Sequence, residues 1–144
     1  MGHEHRGHYA AKHAEGMSLN PQIAKLIKQD AADDKITCAD AHKIAQALQV
    51  SPAEVGVTLD LLEIRISQCQ LGLFGYSPQK RIVQAAEQVS PELQAAIEDA
   101  QNDQGVSCLA AWKIAEQFGI ARIDVAAACE ALQMKITACQ LGAF

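Results

Sequence analysis

Apolar residues recur along this chain at intervals of three and four positions, which is the spacing of an amphipathic α-helix with one face in a core. In the first such segment, Ile23, Leu26 and Ile27 fall on one face. Segments of this kind predict six helices, over about residues 21–32, 39–48, 52–62, 91–101, 109–118 and 122–132. The pattern therefore favours a mainly α fold.

Local signals support this assignment and add short β-strands. Ser51 and Glu54 have the spacing of a capping box, which predicts a helix start at Ser51. Residues 64–69 alternate apolar and polar side chains, so a short strand is expected there, with residues 36–37 as its candidate partner. In the second half of the chain, residues 134–139 occupy the corresponding position.

The second half of the chain repeats the first at a constant offset. Residues 20–74 align without a gap on residues 90–144, and 16 of the 55 pairs are identical. The densest block is the ending Cys-Gln-Leu-Gly-x-Phe, at residues 69–74 and 139–144. A repeat of this length indicates a duplicated small domain, because solenoid repeats run to about 20–50 residues.

This repeat defines the domain organisation that we expect. A polar, His-rich tail over residues 1–19 precedes the first repeat, over 20–76, and the second repeat covers 90–144. The segment between them, residues 77–89, has apolar positions at helical spacing and is predicted to be a connecting helix. Its apolar stripe consists of Ile82, Val83, Ala86 and Val89.

Charge and sequence patterns narrow the classes of function. The net charge is −5, and residues 20–74 hold five basic and seven acidic side chains, whereas residues 90–144 hold three and seven. Neither repeat has the basic footprint that binds nucleic acids or anionic membranes. No apolar run approaches the roughly 18 residues of a membrane span, and residues 1–16 lack a signal-peptide pattern. We therefore expect a cytoplasmic protein, without membrane partners, whose cysteines are reduced thiols.

The middle of each repeat has the residue pattern of a helix–turn–helix. In the second repeat, a small residue, a turn glycine and two apolar residues have the spacing of that motif; they are Ala115, Gly119, Ile120 and Val125. The first repeat matches with Ala45, Val50 and Val55 but has Gln49 at the glycine position. With a helix before the motif and a strand after it, each repeat resembles a winged-helix-like domain with a minimal wing. The resemblance implies two tandem winged-helix-like domains joined by a helix.

The usual activity implied by this resemblance is DNA binding. The second helix of the motif would lie in the major groove, where Arg, Lys, Asn or Gln near its start would read bases. Only Arg122 has such a side chain there, and Asp60 and Glu130 would bring negative charge towards phosphates. A DNA-binding transcription regulator is therefore the alternative interpretation. Its candidate contacts are Ser51, Arg65, Lys80, Arg81 and Arg122.

Histidines and cysteines leave a third function open, that of a metal or redox sensor. The candidate ligands are His3, His5, His8, His13, Cys38, Cys69, Cys108 and Cys139. Their spacing fits no closed structural metal site, so we expect no cofactor beyond weak divalent metal binding by the tail. The competing interpretation is a solvated tail and cysteines that are small buried residues. Cys129 aligns with Leu59 and is expected in the core.

No motif indicates an enzyme: the chain lacks a glycine-rich phosphate loop, a nucleophile elbow and the His-Glu pair of metalloproteases. We therefore expect a non-catalytic regulatory or scaffolding module that binds a protein partner or forms a homodimer. The expected interaction residues are Val57, Gln70, Leu71, Phe74, Ala127, Gln140, Leu141 and Phe144. For the repeated ending, a structural turn with Leu and Phe in the core is the other interpretation.

Overall fold

The computed structural model describes residues 20–78 and 80–143, and the His-rich tail over residues 1–19 lies outside them. The elements, in chain order, are α1 Pro21–Asp30, β1 Lys35–Thr37, α2 Cys38–Leu48, α3 Pro52–Leu62, β2 Arg65–Ser67, α4 Pro91–Ala100, β3 Val106–Ser107, α5 Cys108–Phe118, α6 Arg122–Ala131 and β4 Ile136–Thr137. The mainly α fold class with short strands is confirmed. None of the described helices has the length and apolarity needed to cross a membrane.

Side-chain caps fix the starts of five of the six helices named above, all except α6, which begins after Ala121. The Ser51 hydroxyl accepts a hydrogen bond from the Glu54 N–H at 3.2 Å, and the Glu54 carboxylate accepts one from the Ser51 N–H at 2.9 Å. In α1, the side-chain oxygen of Asn20 accepts from the N–H groups of Gln22 and Ile23. These N–H groups have no acceptor within the helix, so the caps satisfy them. The predicted capping box is confirmed.

The chain divides into two compact units, and the division does not follow the repeats. Among the described residues, the first unit contains residues 20–69 together with Leu141–Ala143, and the second contains Gln70–Gln140. The sequence, by contrast, predicts that each repeat keeps its own ending. In the structure, the Leu-Gly part of each ending belongs to the unit that the helices of the other repeat build.

In the first unit, α1, α2 and α3 pack against one another around an apolar core. Ile27, Val55 and Leu59 are at most 1% exposed. β1 and β2 pair in parallel, with Ile36 opposite Ile66, so the predicted strand pair is confirmed. Parallel pairing needs a crossover connection, which α2 and α3 supply. The strand expected as a minimal wing is thus one half of a parallel pair.

The second unit repeats this arrangement with α4, α5 and α6. Ile97, Val106 and Val125 have no exposed surface, and Leu71 from the ending of the first repeat is equally buried. β3 and β4 also pair in parallel, with Val106 opposite Ile136. The core of this unit therefore includes a side chain that the sequence assigns to the other repeat.

The connecting helix predicted over residues 77–89 is wrong, because residues 80–89 form no helix. Their N–H groups bond to other segments instead: Ile82 and Val83 both donate to the carbonyl oxygen of Gly72, at 2.9 and 3.1 Å, and Ala86 donates to the carbonyl oxygen of Ala127 at 3.0 Å. A helix would direct these groups to carbonyls four residues earlier in the segment. Only Val83 of the predicted stripe is fully buried, and Ile82 is exposed.

Gly56 lies in the middle of α3, where glycine is about 1 kcal/mol less favourable than alanine. It is buried, and the backbone of Leu141 lies directly against it. A Cβ at Gly56 would overlap the carbonyl oxygen of Leu141 and come within 2.7 Å of its carbonyl carbon. The missing side chain therefore allows Leu141–Ala143 to approach the backbone of the helix.

Replacing Gly56 with alanine is expected to lower the free energy of unfolding by about 1–3 kcal/mol, because the added methyl group must displace Leu141. Denaturant unfolding followed by circular dichroism measures this change. In a chain that ends at Gln140, the Leu141 atoms nearest to the methyl group are absent, so the same substitution is expected to be less destabilising than in the full chain and to favour α3 by up to about 1 kcal/mol. A stabilising Gly56→Ala substitution in the full chain would contradict the contact.

Candidate functional site

The residues on which the helix–turn–helix resemblance rests occupy suitable local positions. Gly119 ends α5 in the left-handed conformation, with φ of 66°, and Gln49 ends α2 in the same way, with φ of 56°. Ala115 is 3% exposed and Val125 is fully buried, as close packing of two helices requires. In a helix–turn–helix, the second helix carries the binding surface. The corresponding helices here are α3 and α6.

Both of these helices bury one broad face. In α3 the buried positions are Val55, Gly56, Thr58 and Leu59, and in α6 they are Val125, Ala126, Ala128 and Cys129. Both sets lie at i, i+1, i+3 and i+4, which extends the usual buried stripe of a surface helix to one side. On that side of α3, Gly56 lies against Leu141. In α6, Ile123 contacts Gly72 from the ending of the first repeat, and the carbonyl of Ala127 accepts a hydrogen bond from Ala86 in the segment after that repeat.

Arg122, the base-reading candidate at the start of α6, is engaged within the second unit. Its guanidinium carbon lies 3.5 Å from the centroid of the Trp112 ring, in a cation–π contact. One guanidinium nitrogen donates a hydrogen bond to the side-chain oxygen of Gln70 at 3.2 Å. Arg122 thereby joins α5, α6 and the repeated ending, a role that its sequence position does not reveal.

The remaining DNA-contact candidates have different surroundings. Ser51 caps α3, and Arg81 forms an ion pair with Glu130, in which both side chains are partly exposed. Arg65 in the first unit and Lys80 in the second are exposed. With Arg122, three of the five candidate contacts therefore already stabilise local structure. The ion pair also places the Glu130 carboxylate beside the Arg81 cation.

The predicted interaction residues are mostly covered. Leu71 is 0% exposed and Leu141 is 2% exposed, so both fill cores. The half-buried members are Val57, Gln70, Phe74, Ala127 and Gln140, and Phe144 lies outside the described residues. This burial favours the structural interpretation of the repeated ending over a surface that is open to a partner.

None of the cysteines in the described part of the chain forms a disulfide. Cys38, Cys69 and Cys108 are buried, and Cys139 is half-buried. Cys129 is also buried, as expected from its alignment with Leu59, and burial raises the pKa of its thiol from 9.0 to about 11. Among the residues that the structure describes, no three His, Cys, Asp or Glu side chains group as metal ligands. The candidate ligands His3, His5, His8 and His13 lie outside those residues.

The second unit also has two surface grooves that sequence reasoning missed. One, of about 390 Å³, is lined by Leu73, Phe74, Met134 and Ile136 together with the Arg81–Glu130 pair. The other, of about 380 Å³, lies between α4 and α5, close to the exposed Leu109. A signal for the second groove was present in the alignment, because Ala96 replaces Leu26 there.

Comparison with known proteins gives no further guide to the site, since no family model, curated protein or solved structure matches this chain. The described residues offer buried apolar helix faces, an arginine stacked on Trp112, and two shallow grooves of mixed character.

Removing the guanidinium by Arg122→Ala is expected to lower the free energy of unfolding by about 1–2 kcal/mol, because a cation–π contact and a charged hydrogen bond are lost together. Trp112 is the single tryptophan of the chain, so its fluorescence reports on the contact, and its emission should shift to longer wavelength. The matched control is Arg81→Ala, which removes a partly exposed ion pair and should change stability by less than about 1 kcal/mol. Unchanged tryptophan emission in Arg122→Ala would argue against the stacking.

The raised pKa of Cys129 predicts a loss of stability at alkaline pH. The folded chain holds this proton up to about pH 11, whereas the unfolded chain releases it near 9.0. The stabilising contribution is therefore complete below the lower value and is lost as the pH rises to the upper one. Over that interval, the wild type should lose on the order of 2 kcal/mol more stability than Cys129→Ala.

Denaturant unfolding at a series of pH values measures this difference. Cys139→Ala is the control, because the half-buried thiol is replaced while Cys129 remains, and it should follow the wild-type curve. Parallel pH dependence of the wild type and Cys129→Ala would show that burial does not shift this pKa.

Proposed function

We propose that this protein is a non-catalytic regulatory or scaffolding module that acts by binding protein, and that its partner is a second copy of the same chain. One observation carries the proposal: the helices that would read DNA are covered by other segments of this chain. Leu141 lies on Gly56 in the first unit. In the second unit, a Cβ at Gly72 would lie 2.7 Å from the Cδ1 of Ile123.

Electrostatics support protein binding over nucleic-acid binding. The net charge is −5, and the one cation at the start of α6 is already stacked on Trp112. A DNA-binding protein gains most of its affinity from Lys and Arg placed against phosphates. The proposal therefore ranks the transcription regulator below a protein-binding module, with exposed Arg65 and Lys80 as the contacts that would favour it.

Exposed apolar side chains indicate where protein binding could occur. Leu109 is 47% exposed and Ile82 is 42% exposed. A single exposed apolar residue is common on monomers, so neither is sufficient alone. Leu109, however, stands beside a groove, and a protruding apolar side chain next to a concave surface is typical of an interface.

The metal or redox sensor has less support. Three of the four candidate cysteines, Cys38, Cys69 and Cys108, are buried, which limits the access of a metal ion or an oxidant to their thiols. Cys139 is more exposed than the other cysteines of the described chain. We therefore propose no cofactor for the described residues and keep weak metal binding by the tail as a separate prediction.

Sedimentation velocity over a series of protein concentrations tests the proposal. We expect the weight-average sedimentation coefficient to rise with concentration, because association follows mass action. In a parallel fluorescence-anisotropy titration, labelled duplex DNA should show no saturable binding at low salt, where phosphate attraction is strongest. A coefficient that stays at the monomer value would contradict self-association, and saturable, salt-sensitive DNA binding would favour a transcription regulator.

A further inference from the structure

The groove between α4 and α5 differs from a closed helix–helix contact because its walls carry small side chains. Its lining includes Ala96, Asp99, Ala100, Ala110, Lys113 and Ile114. The alanines leave a concavity of about 380 Å³ on the surface of the second unit. Leu109, nearly half exposed, lies on α5 one turn before Lys113. A concave surface of mixed character, with alanines in its walls, therefore lies on the same pair of helices as an exposed leucine.

The first repeat provides an internal comparison for this surface. At the position of Ala96 it has Leu26, a larger side chain that is half-buried, and at the position of Leu109 it has Ala39. The second repeat thus lacks the side chain that would fill the groove and carries an exposed leucine on the same helix pair. Neither feature is needed to form these helices and strands, because the first repeat forms the same elements without them.

The packing of α4 is correspondingly less complete than that of α1. In α1, the residues Ile23, Ala24 and Ile27 are buried, whereas in α4 only Ile97 is. α1 packs against both α2 and α3, while α4 packs chiefly against α5. One face of α4 is therefore available beside the groove.

The charges on the groove are self-complementary. Asp99 lies on α4 and Lys113 lies on α5, so the two sides of the groove carry opposite charges. In a two-fold symmetric contact, if one residue of the first copy faces a given residue of the second copy, the same two positions also face each other with the copies exchanged. Lys113 of each chain would then face the same acidic position of the other chain, and Leu109 would enter the alanine-lined groove. A chain with net charge −5 needs such local pairing to approach its own copy.

We infer that the α4–α5 groove is a two-fold interface that binds a second copy of this chain, with Leu109 as its apolar anchor and Asp99–Lys113 as its reciprocal ion pairs. This inference rests on the proposed function and locates it on one surface. Seven residues line the groove, fewer than the roughly 20–30 residues that each partner contributes to a stable interface, so the dissociation constant is expected to be on the order of micromolar.

Charge reversal in the full chain, followed by sedimentation velocity, tests the interface. Lys113→Glu is expected to weaken self-association about tenfold or more, because it places two carboxylates against each other on both sides of the contact. Asp99→Lys should have the same effect. The double variant Asp99→Lys with Lys113→Glu should restore association, since the reciprocal pairs then form with their signs exchanged.

The repeat supplies a matched control. Lys43 is exposed at the position of the first repeat that corresponds to Lys113, so Lys43→Glu changes the net charge equally and should leave association unchanged. Ala96→Leu, which introduces the side chain found at Leu26, should fill the groove and weaken association while the circular dichroism spectrum stays the same.

The outcomes separate this inference from the proposed function. Loss of association in the single charge variants, with recovery in the double variant, supports the interface. If every variant associates as well as the wild type does, the groove is not the interface, although self-association itself remains supported. A wild type that remains monomeric overturns both the inference and the self-association on which it rests.

Discussion

The approach of one backbone to another at Gly56 is the constraint on which the arrangement of this chain depends. A peptide segment can lie against the middle of an α-helix only where a side chain is missing, and here the segment is Leu141–Ala143. In return, Leu141 fills the core of the first unit at 2% exposure. The glycine weakens α3 locally, and the buried leucine compensates through apolar area removed from water. Leu71 is likewise buried in the second unit, where Ala126 stands at the position that corresponds to Gly56.

The same constraint shapes what the helix–turn–helix pattern can do. A reading helix must present an open face to the major groove. Here α3 is covered at Gly56. In α6, Ile123 contacts Gly72 from the ending of the first repeat, and Ala127 contacts the segment after that repeat. Arg122, the one residue suited to base reading, is oriented by Trp112 and Gln70. Both helices therefore make contacts within the chain at the residues named, and the proposed function is assigned to other surfaces.

Much of this fold could be predicted from the sequence, because local signals determine it. The helices follow their apolar spacing, and the capping box at Ser51 forms as the residue types require. The segment at residues 80–89 could not be predicted, because its hydrogen bonds go to Gly72 and Ala127, far outside any local window. The exchanged endings were equally inaccessible, since alignment shows that two segments are alike but not where each one packs. The α4–α5 groove was visible in principle as the replacement of Leu26 by Ala96, a difference that has meaning only once both helices are placed.

Nuclear Overhauser effects between Gly56 and Leu141 test the central claim most directly, because they report proton distances in solution without altering the chain. The account predicts cross-peaks from the Hα protons of Gly56 to the backbone protons of Leu141, and from the Hα protons of Gly72 to the Cδ1 methyl group of Ile123. Leu141 signals at random-coil positions, with no cross-peak to Gly56, would contradict it. The outer face of α3 would then be open, and the argument against a DNA-reading surface would lose its main support.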